Sequence, residues 1–181
     1  MAKWALIING MVHETTSDNP EGRFADDLQW ESCAASVNQG WTFADGKFSA
    51  PAASLEDAKA ARIIFLTSAC AAAIVGGYSS GALGSDHVYP SGVTDQINMM
   101  GSVTASLLPE LAPDWVTPFW CEDSDGLWAY RPHTASEIQQ AGSDGKAHVV
   151  NCQSTLAQLS ASIMAASTPA AVAAIEWPTN A

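Results

Sequence analysis

The chain has 181 residues, of which 48% are apolar and 14% charged, enough apolar material for a packed core and a composition that excludes a disordered chain. Acidic residues outnumber basic ones by 19 to 7, giving a formal net charge of −12, so a nucleic-acid backbone or an anionic membrane would be repelled. The same charge suits a simply soluble acidic surface or a basic partner protein, and both stay open.

Alanine is abundant and leucine and lysine are sparse, while tryptophan occurs 7 times. Small side chains let helices approach closely, which fits either an Ala-rich monomeric bundle or packing against further copies of the chain. Cys33, Cys70, Cys121 and Cys152 are scattered along the chain and form no CxxC pair. They read as buried free thiols in a reducing compartment rather than a zinc site or a disulfide framework. The opening MAKWALIING is too short in its apolar run for a signal peptide. The longest apolar stretch, Ile63–Val75, has 13 residues against the roughly 20 of a membrane span, so no membrane association is expected.

In chain order, Trp4–Ile8 is β-rich and Asn9-Gly10 signals a two-residue hairpin turn, with Met11–Thr15 returning antiparallel. Residues 16–27 read as a polar loop. Gln29–Cys33 and Gly40–Phe43 are short strands, and Asp45-Gly46 turns the chain into Lys47-Phe48. Residues 1–50 thus form a small Trp-containing antiparallel β module, marginal as an independent core.

A helical domain is expected over 54–178. Ser54 is a candidate N-cap, Glu56 and Asp57 suit the first turn, and the helix should stop at Gly76-Gly77. Its last turns are apolar on every side, which implies burial by its own domain or by neighbouring subunits. Gly76–Ser85 reads as a flexible connection and 87–89 as a short strand. Val93, Ile97, Met100, Val103 with Thr104, and Leu107 form one helical stripe, ended by Pro109. Residues 119–130 read as a hairpin closed by the acidic turn 122–126. Thr134 and Glu137 fit a capping box for the last long helix, with a break expected near Gly142–Gly145. Thr168-Pro169 starts a final short helix. The fold class is therefore α+β: a small N-terminal β module, then an Ala-rich helical domain with an inserted β-hairpin.

Residues 55–177 resemble an uncharacterised domain family of tailed-bacteriophage tail fibre and tail fibre assembly proteins. The resemblance rests on the order of Ala60-Ala61-Arg62, His87-Val88-Tyr89, Thr94-Asp95-Gln96-Ile97 and Gly101-Ser102-Val103-Thr104-Ala105. The hairpin on Trp120 and Trp128, the helix capped at Thr134, and Thr168-Pro169 with Ala174-Ile175-Glu176-Trp177 complete it. Trp4 to Gly10 and Gly40 to Phe48 are similar to the N-terminal strands of small phage tail proteins. The Gly76–Ser85 segment and the Ala-rich first helix depart from the pattern. The resemblance implies a virion-tail location after synthesis in the host bacterial cytoplasm, with tail fibre or other tail proteins as partners. It supplies no catalytic residue.

Among chemical constellations, Asp123-Ser124-Asp125-Gly126 lacks the distal ligands of a calcium loop and reads as a hairpin turn. His13, His87, His133 and His148 have no metal-ligand spacing, and no nucleophile elbow or phosphate loop is present. No catalytic, metal or cofactor residue is assigned. The expectation is a non-enzymatic homo-oligomeric tail component whose assembly interface is Ile63, Leu66, Cys70, Ile74 and Val75. The alternatives are a fibre assembly chaperone and a carbohydrate-binding module using Trp30 and Trp41, whose other reading is core packing of the β module.

Overall fold

The computed structural model describes residues 3–25, 27–52 and 54–178. The chain is α+β and divides into two compact units, residues 1–54 and 55–181.

The first unit is a five-stranded antiparallel sheet of β1 (Lys3–Ile8), β2 (Met11–Thr16), β3 (Gln29–Cys33), β4 (Thr42–Ala44) and β5 (Lys47–Ser49), in the order β3-β1-β2-β4-β5. Two tight turns set its hairpins. Asn9 and Gly10 have φ of 52° and 73°, and Asp45 and Gly46 have φ of 51° and 73°. Positive φ at both central residues twists the turn in the same sense as the strands it joins, and Asn, Asp and Gly tolerate it. A bulge between Leu6 and Ile7 shifts the β1–β2 register. Ala5, Ile7, Val12 and Val37 form the core, flanked by Trp41, Phe43 and Phe48. Lys3 reaches along the same side and donates from Nζ to the Val37 carbonyl at 2.5 Å.

The second unit carries every helix among the described residues: α1 (Leu55–Val75), α2 (Val93–Ser106), α3 (Ala135–Ala165) and α4 (Pro169–Ala173). Its sheet is antiparallel in the order β6 (Tyr78–Ser80), β7 (His87–Tyr89), β8 (Val116–Glu122), β9 (Trp128–Thr134). The long helix α3 is the spine. One cluster, with Tyr78, Tyr89, Met99, Phe119 and Ile138, joins the sheet and α2 to its N-terminal half. A second, centred on Leu66, Ile163 and Val172, joins α1 and α4 to its C-terminal half.

Local chemistry explains the helix starts. Thr134 Oγ1 accepts from the Glu137 amide at 3.4 Å, while the Thr134 amide donates to Glu137 Oε2 at 2.7 Å, closing the capping box. The Thr134 amide, together with the Thr134 hydroxyl that donates to the same oxygen at 2.8 Å, holds the Glu137 carboxyl below its usual range. Thr168 Oγ1 caps α4 by accepting from the Ala171 amide at 3.1 Å, with Pro169 in the first turn.

Three expectations are corrected. The helix α3 does not break at Gly142–Gly145 but runs unbroken for 31 residues. Those glycines face neighbours that leave no room for a side chain. A Cβ on Gly142 would lie 2.6 Å from Val103 Cγ2, and one on Gly145 would lie 2.7 Å from the Tyr78 ring. They permit close approach rather than end the helix. Secondly, Gly76–Ser85 is not wholly a connection: Tyr78–Ser80 forms β6 against β7, because the Tyr78 ring packs over Gly145 and Ser80 Oγ donates to Asp144 Oδ2 at 2.5 Å. The third concerns α2. Its expected stripe faces outward at Val93, Ile97, Met100 and Leu107, while Met99 and Ser106 are buried and Val103 packs inward.

Candidate functional site

Two kinds of feature stand out in the second unit: a buried polar network under the sheet, and large apolar side chains on the outward faces of α1 and α2.

The network begins at Tyr89 and His133, both fully buried. His133 Nδ1 donates to the Arg131 carbonyl at 2.9 Å, because a carbonyl can only accept. Nε2 is then the acceptor, and the Tyr89 hydroxyl donates to it at 2.8 Å. Burial pushes the His133 pKa below its ordinary value and the Tyr89 pKa above its own, so both stay neutral near pH 7. The pair lies between Phe119 and the stacked Tyr78 ring, whose centroid is 5.5 Å from that of Tyr89. With no exposed surface, it orients the sheet on α3 and presents nothing to a substrate.

Arg131 locks the β8–β9 hairpin. It donates from Nη1 to the Cys121 carbonyl at 2.8 Å and pairs through Nη2 with Asp123 Oδ2. Asp123 Oδ1 accepts from the amides of Asp125 and Leu127, both at 3.0 Å. The bond from Leu127, with those from Asp125 and Arg131, holds the carboxyl below its ordinary range. Both oxygens are engaged in closing the turn, as the hairpin reading expects. Among the described residues no cluster of three or more metal-ligating side chains forms. His87 engages the Ser85 carbonyl through Nδ1, and His148 donates from Nε2 to the Ala73 carbonyl. The four cysteines are free thiols, three buried and Cys33 partly so.

The helix α1 has two apolar sides. Leu66 points into the cluster with Ile163 and Val172 and Ile63 packs against it, while the buried Cys70 donates from Sγ to the Cys152 carbonyl of α3 at 3.5 Å. Lys59 Nζ donates to the Met164 carbonyl at 3.1 Å and Arg62 Nε to the Ile175 carbonyl at 2.5 Å, tying α1 to the C-terminal ends of α3 and α4. The opposite side exposes Ile64, Phe65 and Val75 among small alanines. By length and composition alone α1 could cross a membrane. Its packing on α3 and α4 is that of a helix at the edge of a core.

The structure therefore divides the five residues expected at an assembly interface. Leu66 and Cys70 belong to the chain's own core, Ile63 and Ile74 are half-buried, and Val75 is exposed. Ile64 and Phe65 were missed. A helix apolar all round carries no periodic signal for which side is free. Of the candidate surface aromatics, Trp41 packs on the core of the first unit, and Trp30 lies against Phe24 with centroids 4.7 Å apart. The Trp30 indole nitrogen is buried without a partner among the described residues.

Helix α2 stands between two grooves. One, of about 540 Å³, lies towards α3 and is lined by Tyr78, Met99, Met100, Val103, Gly142 and Lys146 among others. The other, of about 800 Å³, lies towards β8 and is lined by Ile97, Asn98, Gly101, Ser102, Trp120 and Tyr130 among others. Trp120 and Tyr130 sit directly opposite in the hairpin, their rings edge to face at 5.0 Å.

No curated protein and no solved structure matches the chain. Residues 57–176, about two thirds of its length, match the model of a family described as a domain of unknown function, DUF4376, and the chain belongs to that family.

Proposed function

We propose that the protein is a non-enzymatic structural component of a tailed-bacteriophage tail, associated with the fibre or baseplate and assembling through apolar helix faces. One observation supports this reading above the others: α1 carries Ile64, Phe65 and Val75 on a side that its own unit leaves largely open. Large apolar surface exposed together marks a site of interaction. The polar groups that are best placed for chemistry, those of Tyr89, His133, Arg131 and Asp123, are engaged in holding the sheet and its hairpin.

The same uncovered surface favours a second reading, a fibre assembly chaperone that holds a partner and then departs. Quantitative mass spectrometry of purified virions separates the two. A structural subunit is present in fixed stoichiometry with the fibre protein. A chaperone is abundant in the infected-cell lysate and absent from the particle. Absence from both virion and fibre-bound fractions would refute the tail reading.

A further inference from the structure

We infer that α2 is the contact helix of a two-fold homodimer, in which the ridge of each copy seats in the α2/β8 groove of the other. The inference deepens the assembly reading by naming the partner and the face, and its geometry stands whether or not the protein belongs to a tail.

The ridge is Val93, Ile97, Met100, Thr104 and Leu107, spaced by alternating steps of 4 and 3 residues. That period keeps one seam facing a partner helix. Val93, Ile97, Met100, Leu107 and Leu108 are 71%, 57%, 63%, 67% and 57% exposed, and Trp120 and Tyr130 across the groove are 39% and 71% exposed. At about 150–250 Å² per large side chain, these seven present roughly 800 Å², which is what one partner contributes to a standard interface. A monomer rarely leaves that much contiguous apolar surface in water.

The arrangement selects a second copy as the occupant. Ridge and groove lie side by side on one helix, so a single two-fold rotation fills both grooves at once. The middle of α2 supplies the close approach: Gly101 lies on the groove floor with Ser102 and Ala105, and a Cβ built on it meets nothing within 4 Å. An antiparallel pairing centred on Met100, beside Gly101, sets Val93 of one copy against Leu107 of the other. The face itself is nearly free of charge. Two chains of net charge −12 repel except through an uncharged face. Among the described residues Asp95 is the only charged side chain lining this groove, and its Oδ2 already accepts from the Gly92 amide at 3.1 Å.

Sedimentation equilibrium on the purified full-length protein at about 1–50 μM tests the pairing, a range that resolves micromolar association. The wild type is expected to run as a dimer. Ile97→Glu places a charge on the ridge, and Gly101→Leu fills the groove floor from an open position that leaves the subunit's own packing untouched. Each is expected to weaken association by about 30-fold or more while the helical circular dichroism stays unchanged. A wild-type monomer at the highest concentration overturns the inference and leaves the face to a different protein. A dimer that survives both substitutions overturns the assignment to α2, and a trimer or larger ring overturns the two-fold arrangement. Virion mass spectrometry reads the tail assignment independently, so either conclusion can fail alone.

Discussion

Replacing Gly142 with alanine should destabilise the helical unit, although helix propensity alone predicts the reverse. Alanine is favoured over glycine inside a helix by about 1 kcal/mol. Against that, the new methyl would sit 2.6 Å from Val103 Cγ2, where apolar carbons prefer about 3.5–4.0 Å. Val103 is β-branched and held in one rotamer on α2, so it cannot swing aside cheaply. Overpacking of this kind costs about 1–3 kcal/mol, which leaves a net loss of roughly 0–2 kcal/mol after the propensity gain. Because all helices among the described residues lie in residues 55–181, urea unfolding followed by helical circular dichroism reports that unit selectively. The cause is isolated by a double-mutant cycle. In a Val103→Ala background the clash is gone, and Gly142→Ala should become stabilising by up to about 1 kcal/mol. If Gly142→Ala stabilises the wild type as much as it stabilises Val103→Ala, the close-approach account of α3 is refuted.

Further outcomes follow from the polar network and can be measured in the same unfolding assay. Tyr89→Phe removes the only proton offered to His133 Nε2 among the described residues and should cost about 1–3 kcal/mol, the penalty of an orphaned buried acceptor. His133 has a depressed pKa in the fold, so below its ordinary value of 6.5 the unfolded chain binds the proton more readily. Its contribution to stability is therefore complete above pH 6.5 and declines as pH falls towards the depressed folded value; His133→Gln should flatten that slope, and an unchanged slope would remove His133 as its source. Tyr78→Phe should be neutral or stabilising by up to about 1 kcal/mol, since the hydroxyl is buried with no hydrogen-bond partner among the described residues. A loss above 2 kcal/mol, measured at fixed protein concentration, would show that the hydroxyl has a partner of its own.

Features set by neighbours in sequence were legible before the structure. The turns at Asn9-Gly10 and Asp45-Gly46, the capping box at Thr134 and the proline start of α4 each depend on residues within three positions of one another. Features set by distant neighbours were not. Gly142 and Gly145 look like a helix break until Val103 and Tyr78 are placed against them. Which side of α2 turns inward was not legible, because Met99 and Val103 compete with Ile97 and Met100 for the interior. Gly142 in α3 decides that contest by admitting Val103. In α1 the run of residues 63–66 puts large apolar side chains all round one turn and hides which side is free, so the inward Leu66 was named and the outward Ile64 and Phe65 were not.

One hydroxyl also limits how far this unit can rearrange. Ser91 Oγ donates to the Ile74 carbonyl at 2.5 Å and accepts from the Gly77 amide at 2.9 Å, bridging the last turn of α1 and the first residue before β6. Ser91 lies two residues before α2, and Gly77 follows with a φ of 101° that a continuing helix forbids. To lengthen α1 by even one turn, the chain would have to give up both bonds and peel Tyr78 away from Tyr89 in β7. The reach of α1, the width of the sheet and the anchoring of α2 are thus coupled through a single side chain. Any motion that alters one of them must alter all three.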